Sequence, residues 1–106
     1  MTMPTGTEVS VDTTGSKAIV YAGDYLNRLS GEQIEYACRR ELAAGCKDLV
    51  VNFSKTEIVN SIGISILLNV IDNAADKGAA VSFTNVNQQT AELFEMLGIT
   101  RHVAIL

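Results

Sequence analysis

One serine hydroxyl stands where this chain could take part in chemistry. Ser61 follows the β-branched run Leu49–Phe53 and a polar loop, and it opens a long apolar segment with helical spacing. Strand, loop and helix in that order place the hydroxyl at a helix N-terminus, where free backbone N–H groups and the helix macrodipole favour negative charge. Serine is also common at that position as a simple helix cap. The residue type alone therefore leaves both roles open.

The helix that Ser61 opens is apolar nearly all round in its first two turns. One stripe is assigned to the sheet, whereas Ile62 and Ile66 lie off that stripe. We expect these two side chains to form an apolar patch beside Ser61, with cover by the loop at Leu26 as the alternative. Ser65 lies one turn after Ser61 and could line the same surface. The residues assigned to the sheet are Ile64, Leu67, Leu68 and Ile71.

The elements that must position Ser61 alternate between strands and helices after an initial hairpin. They are predicted as strands at 8–12 and 18–21, a helix at 31–44 capped by Ser30, a strand at 48–53, a helix at 61–77, a strand at 81–84, a helix at 88–97 capped by Asn87, and a short apolar tail at 103–106. Such alternation favours parallel pairing with right-handed crossovers. We expect a single α/β domain with a mixed sheet of four to five strands and three to four helices mainly on one face.

Two loops should meet at one end of this sheet. Ligands and partners of such sheets usually bind at the loops that follow the carboxyl ends of the strands. The loops after Tyr21 and Phe53 should open at the same end, which would bring Leu26 and Asn27 close to Ser61.

The length and charge of the chain restrict its domain number and the kinds of partner it can bind. The 106 residues suit one core, with residues 1–7 as a loose arm and residues 8–106 as the domain. A net charge of −4 with scattered basic residues argues against DNA or RNA as a binding partner. No run approaches the length of a bilayer span and no signal peptide is visible, so we expect a cytoplasmic protein without a membrane partner.

The reactive side chains do not form a catalytic set. His102 is the only histidine and has no nearby nucleophile, and no Gly-rich phosphate loop follows a strand. Cys38 and Cys46 lack a second Cys or His pair and are expected to be small packing residues. We therefore predict no enzyme activity, no metal and no cofactor.

A family resemblance rests on the stretch Asn60-Ser61-Ile62-Gly63-Ile64, which opens a helix after Leu49-Val50-Val51-Asn52-Phe53. This stretch and the order of elements from about Glu8 to Leu106 resemble the STAS domain family of bacterial anti-sigma factor antagonists. The usual family motif is Asp-Ser-Ser-Gly or Asp-Ser-x-Gly before an apolar helix. Ser61 and Gly63 match it, whereas Asn60 replaces the usual Asp and Ile62 a frequent second Ser.

The resemblance implies a switch in transcription regulation. The unmodified protein would bind an anti-sigma factor that is also a serine kinase, and would thereby free a sigma factor. Phosphorylation of Ser61 would end binding, because it adds roughly −1.5 to −2 charges to the surface, and a serine phosphatase would restore it. A scaffold subunit of a signalling complex or of a transporter ATPase, never phosphorylated, is the alternative within the same fold.

The protein is expected to be a monomer or a weak dimer. The predicted partner-binding residues are Leu26, Asn27, Asn60, Ser61, Ile62, Gly63, Ser65 and Ile66.

Overall fold

The computed structural model describes residues 9–106, so the predicted arm at 1–7 and Glu8 lie outside the described residues. The strands are β1 (Ser10–Thr14), β2 (Lys17–Tyr21), β3 (Tyr25–Leu26), β4 (Asp48–Asn52), β5 (Ile58–Val59), β6 (Ala80–Thr84) and β7 (Ala104–Ile105). The helices are α1 (Arg28–Ala43), α2 (Ser61–Asp76) and α3 (Gln88–Met96), followed by a 3-10 turn at Ile99–Arg101.

Five strands form one mixed sheet in the order β1-β2-β4-β6-β7. The hairpin pair β1 and β2 is antiparallel, and every later neighbour pairs in parallel. This topology confirms the predicted α/β fold. The first hairpin strand lies about two residues later than predicted, because its turn is made at Gly15, whose φ of +61° suits glycine.

The helices pack on one face of the sheet, as expected. Leu49 and Val51 of β4 are fully buried in the core cluster that contains the inner faces of the helices. Val50 points to the other face and stays outside that cluster. Three phenylalanines close the core at the carboxyl end of the sheet, with ring centroids 5.2 to 5.7 Å apart: Phe53, Phe83 and Phe94.

The start of α1 differs from the prediction. Its N-cap is Asn27, whose Oδ1 accepts the backbone N–H of Ser30 at 3.0 Å, while Ser30 Oγ accepts the backbone N–H of Asn27 at 3.0 Å. Ser30 is thus the third helical residue of a capping box and not its cap, because Asn27 is an equally good cap one turn earlier. Asn87 caps α3 as predicted.

A second sheet was not predicted. Strands β3 and β5 have two residues each and pair in parallel, Tyr25 with Ile58 and Leu26 with Val59. Segments this short have no periodicity of their own, so only the folded contact defines them. No helix in the described part of the chain is long and apolar enough to cross a bilayer.

Cys38 provides a test of the core. Burial raises the pKa of its thiol from 9.0 to about 12, with smaller contributions from Cys46 and from two neighbouring carboxylates. Because the thiolate is the reactive form, we expect Cys38 to resist a thiol reagent at about pH 8 in the folded protein and to react after unfolding in urea. Rapid native labelling of Cys38, mapped by mass spectrometry, would contradict the buried position.

The same shift predicts a pH dependence of stability. The unfolded chain ionises Cys38 above about 9, whereas the folded protein keeps it neutral until about 12. The free energy of unfolding should therefore fall as pH rises from 9 towards 12. Urea titrations across this range should show a shallower fall for Cys38→Ala than for the unchanged protein, and equal slopes would count against the assignment.

Candidate functional site

Ser61 is the first residue of α2, and its side chain is exposed. The cap is Asn60, whose Oδ1 accepts the backbone N–H of Gly63 at 2.8 Å and whose carbonyl accepts that of Ile64 at 3.2 Å. Within residues 9–106 the Ser61 hydroxyl has no hydrogen-bond partner. The capping role left open for Ser61 is therefore wrong, and its hydroxyl is available to another molecule.

A short ladder fixes the residue that caps α2. The backbone N–H of Asn60 donates to the carbonyl of Leu26 at 2.9 Å, directly after the pairing of β3 with β5. One step earlier, the backbone N–H of Glu57 donates to the carbonyl of Asp24 at 2.8 Å. The loops after β2 and β4 therefore meet beside Ser61, as the sequence predicted.

Leu26 and Gly63 pack tightly against each other at this ladder. A Cβ on Gly63 would lie 2.8 Å from Leu26 Cγ and 2.9 Å from its carbonyl oxygen. Leu26 is only 1 % exposed and Gly63 is buried. Leu26 and Gly63, both predicted as partner-binding residues, are therefore inaccessible in this structure and support the site from beneath. Asn27, half-buried, caps α1.

Ile66 is partly covered by α1. It is half-buried, and a Cβ on Gly31 of α1 would lie 3.1 Å from Ile66 Cδ1. Part of the cover of Ile66 therefore comes from α1. Ile62, 52 % exposed, remains open beside Ser61.

Two further apolar side chains border the site. Tyr25 and Ile58 pair across β3 and β5 and are 37 % and 59 % exposed. Asn60 Nδ2 lies 3.5 Å from the Tyr25 hydroxyl oxygen. Neither residue was predicted from the sequence, although each stands next to a less exposed neighbour, the buried Leu26 or the half-buried Val59, in the alternation typical of a strand. We name Tyr25, Ile58, Asn60, Ser61 and Ile62 the Ser61 surface.

The electrostatic character of this surface comes from the backbone. The first turn of α2 has no acidic side chain, and Asn60 is neutral. The backbone N–H groups of Ser61 and Ile62 are unpaired within the described residues, because Asn60 satisfies only those of Gly63 and Ile64. Ser65, exposed, donates its hydroxyl to the Ser61 carbonyl at 3.0 Å. The helix end can therefore accept negative charge without opposing side chains in its own first turn.

A family model described as "Mlab, STAS domain" matches residues 9–106, which is nearly the whole chain. The chain belongs to the STAS domain family. This assignment agrees with the prediction of a protein that is not an enzyme. Within residues 9–106, no three His, Cys, Asp or Glu side chains are grouped as metal ligands.

Solved STAS structures share the fold at low sequence identity. The unphosphorylated anti-sigma factor antagonist SpoIIAA is 13 % identical with a TM-score of 0.78, over 93 % of this chain and 88 % of that one. Phosphorylated SpoIIAA from Bacillus is 14 % identical with a TM-score of 0.73, over 93 % and 91 %. A putative anti-sigma factor antagonist from Thermotoga maritima is 15 % identical with a TM-score of 0.79, over 92 % and 84 %. No curated protein sequence matches the chain.

Two glycine substitutions test how the site is supported. Gly63→Ala would press a Cβ onto the backbone of Leu26, which cannot move without breaking the β3–β5 ladder, and should lower the free energy of unfolding by about 1–3 kcal/mol. Gly31→Ala meets chiefly the flexible end of Ile66 and gains helix propensity of up to ~1 kcal/mol, so it should be close to neutral. Urea unfolding of both variants measures the difference, and equal effects would show that the Leu26 contact does not fix this helix end.

Proposed function

We propose that this STAS protein is an anti-sigma factor antagonist whose binding is switched by phosphorylation of Ser61. The unmodified form binds an anti-sigma factor with serine kinase activity and so frees a sigma factor. The modified form is released, and a serine phosphatase returns it to the binding state. The observation that carries this proposal is the exposed, unbonded hydroxyl of Ser61 at a helix N-terminus already capped by Asn60.

The unmodified Ser61 surface suits a protein partner. It combines a neutral hydroxyl with three exposed apolar side chains: Tyr25, Ile58 and Ile62. Burial of such side chains on association is favourable by roughly 25 cal/mol per Å2 before the costs of ordering. A neutral hydroxyl can be covered at small cost, because a single hydrogen bond from the partner satisfies it. Ser65, on the same face one turn later, would extend the contact.

Phosphorylation of Ser61 changes this balance in the free and bound states by different amounts. In the free protein, the helix N-terminus and the unpaired N–H groups of Ser61 and Ile62 favour an exposed phosphate by about 0.3–1 kcal/mol. In the complex, an uncompensated charge buried at the interface costs several kcal/mol. Since each 1.4 kcal/mol corresponds to about tenfold in affinity, the loss is on the order of a thousandfold.

The related structures support a switch without unfolding. SpoIIAA, which has the same fold, is known in an unphosphorylated and a phosphorylated form, and this chain resembles both with TM-scores of 0.78 and 0.73. A phosphate on Ser61 would project from the first turn of α2 into solvent. The switch would therefore act through surface charge, with the fold unchanged.

A second candidate is a scaffold subunit that binds its partner without phosphorylation, either in a signalling complex or on a transporter ATPase. Asn60 favours it, because the family usually has a charged Asp at this position and the neutral amide here approaches Tyr25 instead. The apolar Ser61 surface would then be a permanent contact. The two candidates share the surface and differ in whether Ser61 changes its charge.

Affinity measurements on charge variants separate the candidates from a surface without function. With the anti-sigma factor encoded by the same organism as partner, Ser61→Ala should bind as the unchanged protein does, whereas Ser61→Asp should bind at least about a hundredfold more weakly. Asn69→Asp adds the same charge two turns further along α2 and is the control. Isothermal titration calorimetry gives the dissociation constants, and equal values for Ser61→Ala and Ser61→Asp would eliminate the switch.

Phosphorylation of Ser61 can be measured directly, apart from binding. Incubation with that anti-sigma factor and ATP should add the mass of one phosphate to the unchanged protein and none to the Ser61→Ala variant.

The apolar part of the surface is tested by truncation of Ile62. Ile62→Ala should weaken binding by about tenfold, whereas Met96→Ala, which removes an apolar side chain 78 % exposed on α3, should not. Tight binding with no phosphate gained would favour the scaffold, and no binding to the anti-sigma factor would refute the antagonist role.

A further inference from the structure

A second apolar surface lies on the other flank of α1. An open groove of about 770 Å3 runs between edge strand β1 and α1. Three of its apolar side chains are exposed, Val11 at 41 %, Leu29 at 67 % and Tyr36 at 65 %. Strand β1 pairs only with β2 among the described strands, so its outer edge keeps free backbone N–H and C=O groups. An apolar groove beside an open strand edge is suited to the addition of another strand.

The charges along α1 indicate what fills this groove. Tyr36 stands at the middle of the groove, with Glu32 four residues before it and Arg40 four residues after it, all three lining the groove. The Arg40 guanidinium lies 5.9 Å from the centre of the Tyr36 ring. A two-fold axis through Tyr36 would place Arg40 of one copy opposite Glu32 of the other, and would do so twice. The helix is therefore electrostatically complementary to itself in the antiparallel orientation.

Strand β1 fits the same axis in one register. Val11 is opposite the fully buried Val20 and so points to the helix side of the sheet, into the groove. Antiparallel pairing of two β1 strands centred on Val11 joins Val11 with its counterpart and sets Asp12 opposite Ser10. A register centred on Asp12 would instead oppose two carboxylates, which is destabilising. Of these two registers, charge favours the one centred on Val11.

We propose that a second copy of this chain occupies the groove, joining two sheets edge to edge through β1 in an isologous dimer. The two-fold axis passes beside Val11 and Tyr36, and two Arg40–Glu32 pairs close the rim. This surface lies on the flank of α1 opposite to Gly31, which faces α2. The dimer leaves the Ser61 surface open, so its existence is independent of the proposed switch.

Charge reversal tests the helix contacts. Sedimentation equilibrium of the full chain should show a concentration-dependent dimer, and Arg40→Glu or Glu32→Arg alone should weaken it by about tenfold or more, because each creates two like-charge pairs. The double variant with both changes should restore dimerisation. Arg39→Glu, outside the groove, is the control and should retain the dimer. A monomer at all concentrations, or a double variant no better than the single ones, would overturn the proposal.

Cross-linking tests the register of β1. Under mild oxidation Val11→Cys should form a disulfide-linked dimer, because the two residues would face each other across the axis. Thr13→Cys, on the same face of the same strand, would oppose residue 9 and should cross-link far less. The unchanged protein, with Cys38 and Cys46 buried, should give no linked dimer. Equal cross-linking of Val11→Cys and Thr13→Cys, or none by either, would refute this register.

Discussion

The position of Ser61 depends on the contact between Leu26 and Gly63. The backbone of Leu26 accepts the N–H of Asn60, and its side chain fills the space that a Cβ on Gly63 would need. These two interactions fix the position and direction of the first turn of α2 relative to β3. Because packed interiors tolerate little displacement, the exposed hydroxyl is held by residues that are themselves inaccessible. The Ser61 surface is exposed, but the two residues that fix its position, Leu26 and Gly63, are buried.

This arrangement assigns different tasks to neighbouring residues of one motif. Asn60 satisfies the N–H of Gly63, Gly63 allows the close approach, and Ser61 has neither task. A modification of Ser61 therefore changes surface charge without removing a cap or opening a cavity. Had Ser61 been the cap, phosphorylation would have replaced a helix-stabilising interaction, and the effects on folding and on binding would have been coupled.

Much of this could be predicted from the sequence, and the errors have physical causes. The run Leu49–Phe53 is apolar and rich in β-branched residues, and Ser61–Asp76 is long with helical spacing, so the type and order of both elements were clear. The strands β3 and β5 were missed because two-residue strands exist only through their pairing. Leu26 was placed at the surface because sequence spacing shows that a loop comes near a site but not which way its side chains point. The same limit hid Tyr25 and Ile58.

The neutral residue at position 60 affects how large the effect of the proposed switch on binding would be. An Asp there would cap α2 as well as Asn does, since either side chain offers an oxygen to the N–H of Gly63. It would also leave a negative charge at the interface in both states, and the unmodified form would already bear part of the desolvation cost. With Asn60 as the cap, neither the cap nor the first turn of α2 carries a charged side chain. The full difference between the two states then comes from Ser61 alone, which makes the substitution compatible with a switch as well as with a permanent contact.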